Sequence, residues 1–214
     1  MANYNNWSDD CWPLVFQAYM LKPKGVKSEW SKPVVDLAIE LHLNPKVLHE
    51  KMRLADRHDS PSLRRLWDLY TDNTRRLNRD AKTVRQMAGF GDAALFYDGV
   101  AADDDPCRDY MPIGDDTHVS TAVLTLALQL YFALTPVTMV ADTPEVQETA
   151  RLTGLSTQQL VELLQLYQTF DPILRRKPAP PSPVADEARR LWERFYNDTD
   201  RLDTTAARFK EYFD

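Results

Sequence analysis

The sequence predicts an all-α fold: a tandem duplication of a four-helix unit, each copy ending in a long amphipathic helix, with the two long helices packed together. Three observations lead to this reading. Residues 64–87 are written a second time near the end of the chain, since a shift of 125 positions lays Arg64, Arg65, Leu66, Trp67, Thr74, Arg76, Leu77 and Ala81 on Arg189, Arg190, Leu191, Trp192, Thr199, Arg201, Leu202 and Ala206. Leu63, Trp67, Tyr70, Thr74, Leu77, Ala81 and Val84 then recur at alternating spacings of four and three, as do Ala188, Trp192, Phe195, Thr199, Leu202, Ala206 and Phe209. That spacing is the seam of a helix packed along its length, and two dozen such residues would run roughly 35 Å. Finally, only 6 glycines and a mean hydropathy of -0.47 suit a soluble helical chain.

The elements follow in order from their start and stop signals. Ser8 or Asp9 can cap a first helix with Trp12, Val15, Phe16, Tyr19 and Met20 on one face, ended by Lys22-Pro23-Lys24-Gly25. Ser31 with Pro33 starts a second helix, which stops near His42. Asn44-Pro45 opens a third, and Ser60-Pro61 starts the long one. In the second copy, residues 119–134 read as an apolar helix buried on nearly all sides. Thr143-Pro144 starts the next, and Ser156 caps another after Gly154 and Leu155. A shift of 112 matches Ala38, Leu43 and Leu48 to Ala150, Leu155 and Leu160. The 13 extra residues of the second copy fall in a proline-rich loop over 171–183.

The chain divides accordingly into a first helical repeat over 1–88, a connector rich in Gly, Ala and Asp over 89–117, and a second helical repeat over 118–214. The connector is long for an ordered connection and carries a strand-like run, residues 94–97. Charge splits with the repeats: residues 1–88 hold 15 Lys and Arg against 11 Asp and Glu, and the remainder holds 11 against 21. Surfaces of opposite sign imply different partners. No apolar run reaches the ~18 residues of a membrane span, and the start of the chain lacks a signal-peptide pattern. Cys11 and Cys107 form no ligand pair, so a reduced, cytoplasmic thiol state is the expectation.

One local pattern has a known counterpart. Ala150, Gly154, Leu155, Ser156 and Leu160 resemble the helix-turn-helix units of DNA-binding proteins: a small residue lets two helices approach, a glycine permits the sharp turn, and the capped second helix presents its start. Ala38, His42, Leu43, Asn44 and Leu48 repeat the pattern with His42 in the glycine position. The resemblance covers about twenty residues in each repeat and implies duplex DNA as partner. The residues expected to carry that binding are Lys46, His49, Lys51, Arg53 and Arg57 of the first repeat, with further arginines from Arg64 to Arg85 behind them, and Gln158 of the second. Ordinary i to i+4 ion pairs with Asp68, Asp72 and Asp80 are the structural alternative for those arginines.

Chemistry is sparse. His42, His49, His58 and His118 lack metal-ligand spacing, no phosphate-cradling, dinucleotide or nucleophile-elbow motif occurs, and the acidic run 103–105 lacks the alternation of a calcium loop. The sequence therefore points to a non-enzyme without metal or cofactor. A DNA-binding or regulatory protein is one reading; a helical protein-protein interaction scaffold is the other, with Trp7 and the prolines of 178–183 as contact points and the long helices as a homodimer seam.

Overall fold

The structure is a computed structural model, describing residues 7–87, 90, 107–114 and 116–214. It divides into two compact units after Cys107. Among the described residues there are ten α-helices and one two-stranded ladder.

The first unit begins with a 3-10 turn, Asp9–Cys11, capped by the Ser8 side chain, and continues into α1 (Trp12–Met20). Then come α2 (Lys32–Leu41), α3 (Pro45–Arg57), α4 (Pro61–Tyr70) and α5 (Thr74–Arg85). Each of α2, α3 and α4 carries proline in its first turn, where the missing N–H costs nothing. α1 is the centre of the unit and packs on α2, α3 and α5. Leu14, Val15 and Phe16 are sealed in a core shared with Leu48, Met52, Leu77 and Ala81.

The second unit opens with a 3-10 turn, Arg108–Tyr110, and the antiparallel pair β1 (Pro112–Ile113) and β2 (Asp116–Ser120). The sequence reading placed Val119 and Ser120 in the apolar helix, but they close β2 instead. The Ser120 hydroxyl accepts the Val123 N–H, and a capping residue of this kind holds extended backbone, so the helix begins one residue later. α6 (Thr121–Ala133) buries an unbroken run from Ala122 to Leu128, then Leu130 and Tyr131. α7 (Pro144–Thr153), α8 (Thr157–Gln168), α9 (Pro183–Phe195) and α10 (Thr199–Phe213) all pack on it.

The two long helices are not continuous. Each is broken at matching sequence positions, between α4 and α5 and between α9 and α10, so among the described residues each unit has five helices rather than four. Asn73 accepts the Arg76 N–H and Asp198 accepts the Arg201 N–H, each starting a new helix and competing with continuation of the old one. The seams are spent inside their own units. Leu63, Tyr70, Leu77, Ala81 and Val84 belong to the first core, and Ala188, Trp192, Phe195 and Leu202 to the second. α5 packs chiefly on α1, and α10 on α6. Thr74 and Thr199, read as seam positions, are exposed first residues of α5 and α10.

Cys107 ends the first unit, its thiol facing the Leu43 carbonyl, and Arg108 onward builds the second. Most of the connector, including the strand-like run at 94–97 and the acidic run at 103–105, lies outside the described residues. Among the described residues no helix is long and apolar enough to cross a membrane, and no three His, Cys, Asp or Glu side chains gather as metal ligands.

A tyrosine latch recurs in both units. Tyr19 donates to Asp56 and Tyr131 donates to Asp171, each phenol beside a tryptophan, Trp67 and Trp192. Burial, reinforced by the Asp56 bond, pushes the Tyr19 hydroxyl up to about 12 from 10.0. The fold favours the neutral phenol, so this stabilisation is complete below pH 10.0 and is lost as pH rises toward about 12. Chemical denaturation across that window should show a fall in stability that becomes shallower in Tyr19→Phe. Trp192 is buried whereas Trp67 is only half-buried, its ring resting on Phe16, Tyr19 and His58. Trp192→Ala should therefore cost about 3 to 5 kcal/mol in urea unfolding, and Trp67→Ala less.

Candidate nucleic-acid interface

The corner between α2 and α3 is made by three residues. α2 is closed by His42 in left-handed backbone, φ 51°, and the Leu43 N–H reaches back 3.0 Å to the Ala38 carbonyl. Left-handed backbone crowds Cβ in any residue but glycine, yet histidine is among the side chains found there. The turn thus closes without the glycine that the pattern prefers. Leu43 drops into the core between Ala38 and Leu48, all three buried. Asn44 then accepts the Lys46 N–H at 2.9 Å and starts α3.

The α7–α8 corner is built in the same way. Gly154 takes φ 74°, Leu155 is buried between Ala150 and Leu160, and Ser156 with Gln159 forms a reciprocal capping box at the start of α8. In both units the first helix, α1 or α6, packs on both arms of the corner.

The side chains read as DNA contacts separate into two groups. Lys46, Arg53 and Arg57 lie with Glu50 on one exposed stripe of α3, at spacings of four, three and four. Arg53 donates to Glu50 at 3.0 Å, and Arg57 lies 3.8 Å from Asp59, both pairs being exposed and weak. His49 and Lys51 are held elsewhere. The His49 ring Nδ1 lies 2.8 Å from the Lys27 carbonyl oxygen, tying α3 to the loop after α1. The Lys51 ammonium lies 4.3 Å from the Trp7 ring centroid and 5.5 Å from that of Trp12, and both indole N–H groups donate to Asp9. Trp7 is therefore packed against its own unit. In the second unit Gln158 is exposed and donates to Glu162 at 3.3 Å.

The arginines beyond α3 also divide. Asp80 pairs with Arg76 one turn before it, at the spacing of the structural alternative, and with the adjacent Arg79, while Arg64, Arg65 and Arg75 are exposed. Arg85 is a clamp that the sequence reading missed. Its guanidinium donates to both Glu40 oxygens, one at 3.0 Å, and to Gln17 at 2.9 Å, and Gln17 donates to Asn78 at 3.0 Å. These bonds join α5 to α2 and α1. The shifts of 112 and 125 carry Gln17 to Gln129 and Asn78 to Asp203, and the second unit keeps that bond, Gln129 to Asp203 at 2.7 Å. The same shifts put Leu152 in the place of Glu40 and Lys210 in the place of Arg85, so the clamp is missing there. Aligning the two copies in this way was the signal that could have found it.

No protein-family model, curated protein or solved structure matches the chain. The site's geometry and charge are therefore the basis for a functional reading.

The corner chemistry has a direct consequence for stability. A Cβ at residue 154 would meet no atom within 4 Å, so Gly154→Ala carries only the backbone cost, roughly 1 kcal/mol. His42→Gly relieves the same strain at the matching corner and should leave stability unchanged or raised in thermal melts. A loss above about 1 kcal/mol would mean that the His42 side chain, rather than its backbone, holds the turn.

Proposed function

We propose that this is a DNA-binding or regulatory protein, acting in the cytoplasm, whose first unit meets duplex DNA through α3. The observation that carries the reading is the α2–α3 corner: a three-residue turn with a left-handed closing residue, a buried leucine at its centre, and a capped second helix whose exposed stripe bears Lys46, Arg53 and Arg57. A helix presented in this manner fits a major groove, and its cations suit the flanking phosphates. Lys46 stands at the helix start, where groove contacts concentrate. Arg53 is released to phosphate at little cost, because its pair with Glu50 is solvent-exposed. His49 and Lys51 position the helix rather than touch the ligand, and the unlike surface around Gln158 in the second unit gives it no comparable cationic stripe.

Binding of a mixed-sequence duplex by fluorescence anisotropy at low and physiological salt tests this. Affinity should fall steeply with salt, and Lys46→Ala with Arg53→Ala should weaken binding and reduce the salt slope by about 2. Glu50→Gln, which removes the one carboxylate of the stripe, should strengthen it. An unaltered salt slope in the double variant would place the contact away from α3.

A second reading, a helical protein-interaction scaffold, is favoured by one observation: the groove left in the second unit where the clamp is missing.

A further inference from the structure

We infer that the groove between α6, α7 and α10 of the second unit is a docking site for a basic amphipathic helix of a partner protein. α6 packs against both α7 and α10, whereas those two have no extensive contact with each other among the described residues. The result is a trough of about 930 Å³ with α6 as its floor. Leu126 and Leu130 are buried at its base, Ala133 is exposed on it, and Phe132, Leu152 and Phe213 contribute partly buried apolar surface to the sides. α6 contributes Leu126, Gln129, Leu130 and Ala133, a stripe at spacings of three, one and three that runs along its length. A floor of that shape, walled by two helices, accepts a further helix laid along it, presenting its own apolar stripe.

The first unit is bridged at the matching place. There Arg85 reaches from α5 to Glu40 on α2 and to Gln17 on α1 and bonds the three helices together. In the second unit the Gln129 to Asp203 bond survives, but Leu152 gives Lys210 nothing to pair with across the gap. Replacing a carboxylate by leucine at the wall removes the internal clamp and adds apolar surface in one change. That is the exchange a docking site needs.

The charge of the rim selects the partner. Glu145, Glu148, Asp203 and Asp214 line the trough against Arg151 and Lys210, an excess of carboxylates over cations. The whole unit, residues 108–214, leans the same way, with 16 Asp and Glu against 11 Lys and Arg. A helix with leucines along one stripe and lysines or arginines on its flanks meets the apolar floor and the acidic rim together, whereas an acidic helix is repelled. This proposal does not depend on DNA binding by the first unit, since it uses a different unit and different residues.

The test uses the full chain against a displayed library of helical peptides about five turns long, each with a leucine stripe at helical spacing and flanks varied among lysine, glutamate and glutamine. The expected result is enrichment of lysine-flanked peptides. Two variants locate the site. Leu152→Glu with Lys210→Arg rebuilds the clamp of the first unit and should lower affinity for an enriched peptide at least about tenfold. Glu145→Lys with Glu148→Lys changes only exposed side chains and should shift enrichment toward glutamate-flanked peptides. The absence of enrichment, equal enrichment of all flanks, or binding unaltered in the clamp variant with its helicity intact would each overturn the proposal. So would a doubled mass in solution that disappears in the clamp variant, because the groove would then hold a second copy of this chain.

Discussion

Each unit depends on one helix that is apolar around most of its circumference and must be covered by the rest of the chain. α6 exposes almost nothing: every residue from Ala122 to Leu128 is buried, a threonine among them. Thr125 is tolerated there because its hydroxyl donates to the Thr121 carbonyl one turn back. α1 is the same kind of helix in the first unit, with Leu14, Val15 and Phe16 sealed. At about 1.5 to 3 kcal/mol for each large side chain removed from water, leaving one flank of such a helix bare is costly. The remaining helices are short and turn back sharply because they must wrap it. The sharp turns in turn require left-handed residues at His42, His58 and Gly154 and side-chain caps at Asn44, Ser60, Ser156 and Ser182.

The same constraint explains where the two units differ. Positions that touch the central helix keep their character: Ala38 and Ala150, Leu43 and Leu155, and Leu48 and Leu160 are buried at matching places. Positions facing outward do not. Lys46 and Arg53 on α3 stand where Gln158 and Gln165 stand on α8, and Glu40 and Arg85 stand where Leu152 and Lys210 do. The first unit joins the ends of α2 and α5 beside its central helix with an ion-paired clamp. The second has a trough between α7 and α10 at the matching place. Two units of like element order thus present a cationic stripe in one case and an apolar groove with an acidic rim in the other.

Helix starts were legible in the sequence because capping is local chemistry. Asn44-Pro45, Ser60-Pro61, Thr143-Pro144 and Ser156 each begin a helix where the pattern placed one. The corner residues were legible for the same reason. The breaks before Thr74 and Thr199 were not, since the four-and-three spacing runs through them and both halves of each broken helix face one core. Asn73 and Asp198 were the available signal, outweighed by periodicity. The roles of His49 and Lys51 depended on Lys27 and Trp7, residues distant in sequence, so a list of basic residues on α3 could not separate the structural ones from the exposed ones. The clamp lay equally out of reach of periodicity, being a pairing between the ends of α2 and α5.

The measurement that tests the account most directly is a titration of the isotope-labelled full chain with a mixed-sequence duplex at low salt, following backbone amide signals residue by residue. The account predicts shifts confined to the first unit, strongest at the start of α3 around Lys46 and along the Arg53 and Arg57 stripe, and collapsing at physiological salt. Shifts centred on α6, α7 and α10, or none at all under low salt, would contradict it.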